Sequence, residues 1–149
     1  MLALVRSVSS LALACGPAAA LACALVLRTH PQGGELARFN LATPLFAVSF
    51  THSVLNTQVT DFYEVRGAQV KLVAERFEGD GYGLPAAAQP GERLERDGSG
   101  SVLHTQRPVD PLLVRASRAQ RTTLHAGRTQ LLADLYEGAI LIRPEGCAP

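Results

Sequence analysis

Residues 46–85 read FAVSFTHSVLNTQVTDFYEVRGAQVKLVAERFEGDGYGLP, and the fold turns on the first half of that stretch. Apolar residues recur at every second position from Phe46 to Val54 and again from Val59 to Val65, the period of a half-buried β-strand. A hairpin centred on Asn56-Thr57, with a four-residue loop from Leu55 to Gln58, sets Val48 opposite Val65, Phe50 opposite Tyr63, His52 opposite Asp61 and Val54 opposite Val59. This register predicts a buried structural pair, His52 and Asp61, inside an otherwise hydrophobic column. Downstream, Val70, Leu72 and Ala74 alternate with Lys71 and Glu75, which puts Glu75 on the polar face of the next strand.

The chain has 149 residues, enough for one domain with a real core. Its net charge is +1 and its basic residues stand singly, so no electrostatic footprint points to nucleic acid. Val8 to Leu27 is almost uninterruptedly apolar and follows a basic start at Arg6. Residues 1–20 read as a signal peptide cleaved near Ala20, on the A-x-A pattern at Ala18 to Ala20, or as an uncleaved anchor. Lipid attachment at Cys15 or Cys23 lacks the leucine three residues upstream that such sites carry. Residues 24–29 and 35–41, separated by His30-Pro31-Gln32-Gly33-Gly34, read as strand, turn, strand, so the domain begins at residue 21 and cannot leave that segment in lipid. Cleavage would remove Cys15 and leave Cys23 and Cys147; a disulfide between them and two unpaired thiols both remain open.

Elsewhere no segment carries the three-to-four-residue apolar spacing of an amphipathic helix. Residues 79–91, GDGYGLPAAAQPG, are too rich in glycine and proline for a ladder and read as a long surface loop. Residues 93–97 and 101–107 flank Gly98-Ser99-Gly100 as a hairpin, and further short strands are expected at 112–117, 121–125 and 139–143. Residues 130–136 suggest a helical turn, and 144–149 a tail. The expected fold is all-β, a small barrel or sandwich of about eight or nine short strands in a single domain over residues 21–143.

Three kinds of chemistry were weighed on the residues. A hydrolase would start from His52 and Asp61, yet Ser53 should point away from His52, and no G-x-S-x-G elbow exists. The histidines His30, His52, His104 and His125 show no ligand spacing, so no metal is expected. The Gly79, Gly81, Gly83 series lacks the following helix of a phosphate cradle, and no cofactor is expected. Instead, Tyr82 flanked by Gly81 and Gly83, with Leu84 and Pro85 behind it, suits a docking surface.

Phe50-Thr51-His52-Ser53-Val54, then Val59 to Tyr63, Arg76-Phe77, Gly81 to Pro85 and Leu132-Ala133-Asp134-Leu135, together resemble a family of small exported bacterial proteins, domain of unknown function number eighteen-fifty. The family shows an HSV tripeptide, an acidic-plus-aromatic strand, an R-F pair and a G-A-G-L-P loop. This chain departs from it at Leu55, where an acidic residue is usual, at Gln58, where proline is usual, and at Tyr82, where alanine is usual. The resemblance implies no catalytic residues. It implies the company of TRAP-type (tripartite ATP-independent periplasmic) transporters with a TAXI-type solute receptor. The expectation is a non-enzymatic, periplasmic or inner-membrane-anchored accessory protein. It would contact a transporter membrane component or solute receptor through Tyr82, and touch the membrane only through its amino-terminal segment or its partner. The alternatives are a periplasmic hydrolase using His52 and Asp61, or a small-ligand binding module.

Overall fold

The alternation of Val, Leu, Ile and Phe with polar residues folds into two antiparallel sheets. The computed structural model describes residues 23–149, so the expected signal peptide or anchor, the cleavage near Ala20 and Cys15 lie outside the described residues. One sheet has four strands in the order β2 (Glu35–Asn40), β1 (Ala24–Thr29), β11 (Gly138–Glu145), β8 (Leu112–Ala116). The other has seven, in the order β10 (Arg128–Leu131), β9 (Thr123–Ala126), β3 (Leu45–Thr51), β4 (Gln58–Arg66), β5 (Gln69–Glu78), β7 (Gly100–Pro108), β6 (Arg93–Asp97). The protein is therefore all-β, with its two sheets packed as a sandwich. Among the described residues there are eleven strands, more than the eight or nine expected. Arg128–Leu131 is a strand that the sequence reading left unassigned at its start and assigned to a helical turn at its end. That turn is a short 3-10 segment at Leu132–Asp134. None of the described helical residues forms a helix long and apolar enough to cross a membrane.

The sheets meet unequally. The main core packs Leu25, Leu27, Ile140, Ile142 and Leu112 of the small sheet against Phe46, Val48, Tyr63, Val65, Val70 and Leu72 of the large one. Phe46 and Tyr63 stack with ring centroids 5.1 Å apart. A second, smaller core of Val59, Phe77 and Leu103, joined by Phe50, Leu84 and Leu94, lies further along the same inner face. There the covering element is the 79–91 loop, which contributes Leu84.

Cys23 and Cys147 form a disulfide that joins the start of β1 to the end of the chain across 124 residues of separation. The carboxy-terminal segment is tied down as well: β11 runs to Glu145, and the Gly67 amide donates to the Ala148 carbonyl at 2.8 Å. Two residues of the stretch expected as a tail are thus strand.

The central hairpin forms, but in a different register. Phe46 faces Tyr63, Val48 faces Asp61 and Phe50 faces Val59. His52 and Asp61 are consequently not partners, which corrects the expected pair. The loop still has four residues, but it lies two positions earlier, at Ser53–Asn56, and closes with the His52 amide donating to the Thr57 carbonyl at 2.8 Å. Two features fix it there. Asn56 adopts φ 55°, a left-handed conformation that asparagine tolerates better than most residues. The His52 side chain caps the turn, its Nδ1 accepting the amides of Val54 and Leu55, each at 3.2 Å. Moving the turn by two positions changes every partner by four, an even number, so each side chain keeps its face.

Candidate functional site

The inner face of the large sheet carries a polar break between its two cores, and a β-bulge creates it. β4 pairs with β5 from Arg66↔Gln69 to Tyr63↔Leu72 in one register and from Phe62↔Ala74 to Val59↔Phe77 in another, leaving Val73 as the extra residue. Beyond Val73 the alternation inverts. Glu75 and Phe77, expected with the odd, outward positions of the strand, turn inward, and Glu75 stands directly opposite Asp61. The polar-face assignment of Glu75 is thereby corrected: an extra residue in the ladder reverses the side on which all later side chains emerge.

Asp61 and Glu75 are half-buried like-charged neighbours on adjacent strands. The Tyr63 hydroxyl donates to Asp61 Oδ2 at 3.2 Å. Asp61 Oδ1 is buried and has no hydrogen-bond partner. Burial pushes the Asp61 carboxyl up to about 6, against the opposing hydrogen bond from Tyr63 and the field of Arg107. Burial, followed by the charge of Asp61, pushes Glu75 up to about 7. Burial first, and then Asp61, also hold the Tyr63 phenol well above its ordinary range.

The nearest guanidinium that acts on the pair is already engaged. Arg107 Nε lies 3.0 Å from Glu92 Oε1 and 3.3 Å from Thr105 Oγ1, and the Thr105 hydroxyl donates to the same Glu92 oxygen at 2.8 Å. Among the described residues no basic side chain forms an ion pair with Asp61 or Glu75.

A cleft of about 270 Å³ opens over this pair, lined by Phe50, His52, Val59, Asp61, Glu75, Tyr82, Gly83 and Leu84. A second cavity of about 230 Å³ shares Phe50 and Asp61 with it and reaches toward Leu113 and Arg115 at the β8 edge of the small sheet. On the far side, the segment Pro85 to Glu92 bounds a larger cavity of about 720 Å³ against Leu103, Thr105 and Arg107 of β7. The carboxylates thus lie along a trough between the small sheet and the 79–91 loop.

The loop is fastened to the hairpin turn at three points. The Thr57 hydroxyl donates to the Glu78 carbonyl at 2.8 Å. Leu55 packs so closely on Gly79 that a β-carbon there would lie 3.0 Å from Leu55 Cδ1, at a φ of +94° that disfavours any side chain. His52 Nε2 lies 3.2 Å from the Tyr82 carbonyl oxygen. Because Nδ1 of the same ring accepts two amides, Nε2 carries the proton and donates to Tyr82, so His52 is the neutral Nε2–H tautomer. The histidine set aside as half of a buried pair is the clip between turn and loop.

Tyr82 itself has φ 54° and is 70% exposed, the most exposed of the large hydrophobic side chains among the described residues. Gly81 and Gly83 on either side also have positive φ. Leu84 is half-buried in the small core and Pro85 begins the wall of the cavity of about 720 Å³. Ser53 is exposed in the turn. Two further histidines are hydrogen-bonded: His104 Nε2 lies 3.0 Å from Glu95 Oε2, and His125 Nε2 lies 2.8 Å from Ser49 Oγ on the outer face of the sheet. Ser49 is buried in mid-sheet, its strand paired on both sides, with β4 and with β9. Among the described residues no group of three or more His, Cys, Asp or Glu could hold a metal ion.

The sequence pattern pairs His52 with Asp61 and sets Tyr82 apart on a surface loop; it brings neither Tyr82 nor Glu75 to them. The bulge that turns Glu75 inward leaves no local mark on the sequence. In comparisons with known proteins, the family model described as "Domain of unknown function (DUF1850)" matches residues 46–132, a span that holds β3 from Phe46 onward, β4 to β10 and every residue of the cleft. No curated protein and no solved structure matches the chain.

Proposed function

We propose that this chain, which belongs to the DUF1850 family, is an exported, non-enzymatic accessory protein that docks on a component of a TRAP-type solute transporter through its 79–91 loop. The observation that carries the reading is Tyr82: a large aromatic side chain, 70% exposed, on a backbone fixed by positive φ and by the His52 clip. A rigid, exposed aromatic contributes interface area at little cost in conformational entropy, and such residues are frequent hot spots. A non-enzymatic role agrees with the two groupings that resemble catalytic ones. His52 is spent on capping a turn, and Ser49 is buried in mid-sheet between two paired strands. The periplasmic setting agrees with the disulfide, which persists in oxidising compartments.

The test is co-purification of the tagged protein with a TRAP-type transporter of the native host. Tyr82→Ala should leave the melting temperature unchanged and weaken association by about 2 kcal/mol or more. Equal recovery with wild type and variant would remove the loop from the interface. Failure of the wild type to recover any transporter would remove the accessory role.

A further inference from the structure

The cleft beneath the loop holds two carboxylates that no basic side chain among the described residues pairs with. Asp61 and Glu75 face each other across β4 and β5, and like charges placed directly opposite destabilise a sheet. One carboxylate oxygen of Asp61 is buried with no partner. Among the described residues, Arg107 is held by Glu92 and Thr105, Arg96 faces Asp80 at 3.7 Å, and Arg115 lines the neighbouring cavity that Asp61 shares without forming an ion pair with it. The walls are of another character. Phe50, Val59 and Leu84 are apolar, and Tyr82 stands at the rim. A cavity of about 270 Å³ with apolar sides and carboxylates at its base is shaped for one side chain that is apolar along its stem and positive at its tip.

We propose that the cleft receives one arginine or lysine side chain from the protein that docks on the 79–91 loop, its methylenes against Phe50, Val59 and Leu84 and its charged head between Asp61 and Glu75. The inference rests on the accessory reading above and specifies what the partner must present. The incoming charge supplies what the pair lacks, so the gain on docking includes relief of a repulsion already present in the free protein. Tyr82 then serves twice, as an exposed anchor and as an aromatic face beside the cation.

Two measurements test it. In the first, the isolated protein at pH 8 is titrated with n-butylguanidinium and with neutral n-butylurea, following backbone amide resonances. The guanidinium should shift the amides of Asp61, Glu75 and Tyr82 saturably, n-butylurea should not, and Glu75→Gln should weaken guanidinium binding at least tenfold. Equal responses to both probes, or no effect of Glu75→Gln, would overturn the proposal. In the second, wild type, Glu75→Gln and Tyr82→Ala are compared for transporter recovery. Glu75→Gln should lose recovery at least tenfold with no fall in melting temperature. Full recovery with Glu75→Gln alongside loss with Tyr82→Ala would overturn the basic side chain while leaving the docking loop in place. No recovery with wild type would instead remove the accessory reading, and this inference with it.

Discussion

Asp61 and Glu75 occupy directly opposed positions on neighbouring strands, on the inner face of the larger sheet, with no basic side chain of the described protein paired to either. The arrangement costs stability in the free protein, because both groups are half-buried and of like charge. That cost is open to measurement without any partner.

Asp61→Asn should stabilise the isolated domain by about 1 kcal/mol at pH 8, since the amide removes one of two repelling charges while its oxygen still accepts from Tyr63. At pH 5 the variant should be close to neutral. Chemical denaturation at both pH values checks this, and a loss of stability at pH 8 would show that the Asp61 charge is matched by a group outside the described residues. An expectation built on the His52 pairing has the opposite sign.

The same pair sets a pH dependence. Both carboxyls have folded values raised above the unfolded ones, to about 6 for Asp61 and about 7 for Glu75. The native state therefore binds more protons than the unfolded chain between about pH 4 and 7, and stability falls as pH rises through that window. A decrease on the order of 2 kcal/mol between pH 5 and pH 8 is expected, smaller than the two shifts summed because the groups are coupled and partly solvated. Glu92 and Glu145 are shifted in the opposite direction, Glu92 by its bonds to Gln89 and Thr105 and Glu145 by Arg38, so their contribution is lost only at lower pH. The double variant Asp61→Asn, Glu75→Gln should flatten the profile between pH 5 and 8 in a thermal melt.

His52→Ala should cost about 1 to 2 kcal/mol, the scale of losing a side-chain cap that serves two turn amides. It should also free the Tyr82 carbonyl and raise amide exchange across residues 79–85 while leaving the β1–β11 pairing protected. Hydrogen exchange read by mass spectrometry distinguishes this from a global effect. Uniform acceleration over the whole domain would mean that His52 supports the fold at large and does not act as a clip.

Reduction of the Cys23–Cys147 bond should destabilise the domain by about 3 to 5 kcal/mol, because the cross-link closes nearly the whole chain and its effect on unfolded-state entropy grows with loop length. The paired variant Cys23→Ala, Cys147→Ala should match the reduced protein in a denaturant melt. A reduced protein as stable as the oxidised one would assign the bond no role in holding the chain ends.

The amino-acid sequence by itself determined the β class, the limits of β1, the glycine-rich loop and the face on which each residue of β3 and β4 lies. These follow from the two-residue period of a strand and from the turn chemistry of glycine and proline, which act over a few neighbouring residues. Register is another matter. Two positions for a four-residue turn keep the same faces, and only the His52 cap, the αL conformation of Asn56 and the packing of Leu55 on Gly79 select the observed one. The meeting of Asp61 with Glu75 lies further from the sequence still. It needs the extra residue at Val73 of β5 against β4, and at the same level β7 in turn carries one residue more than β5, so the irregularity crosses three strands. A single inserted residue reverses every later side chain, so the tertiary ladder, and no local pattern, decided which carboxylates face the cleft.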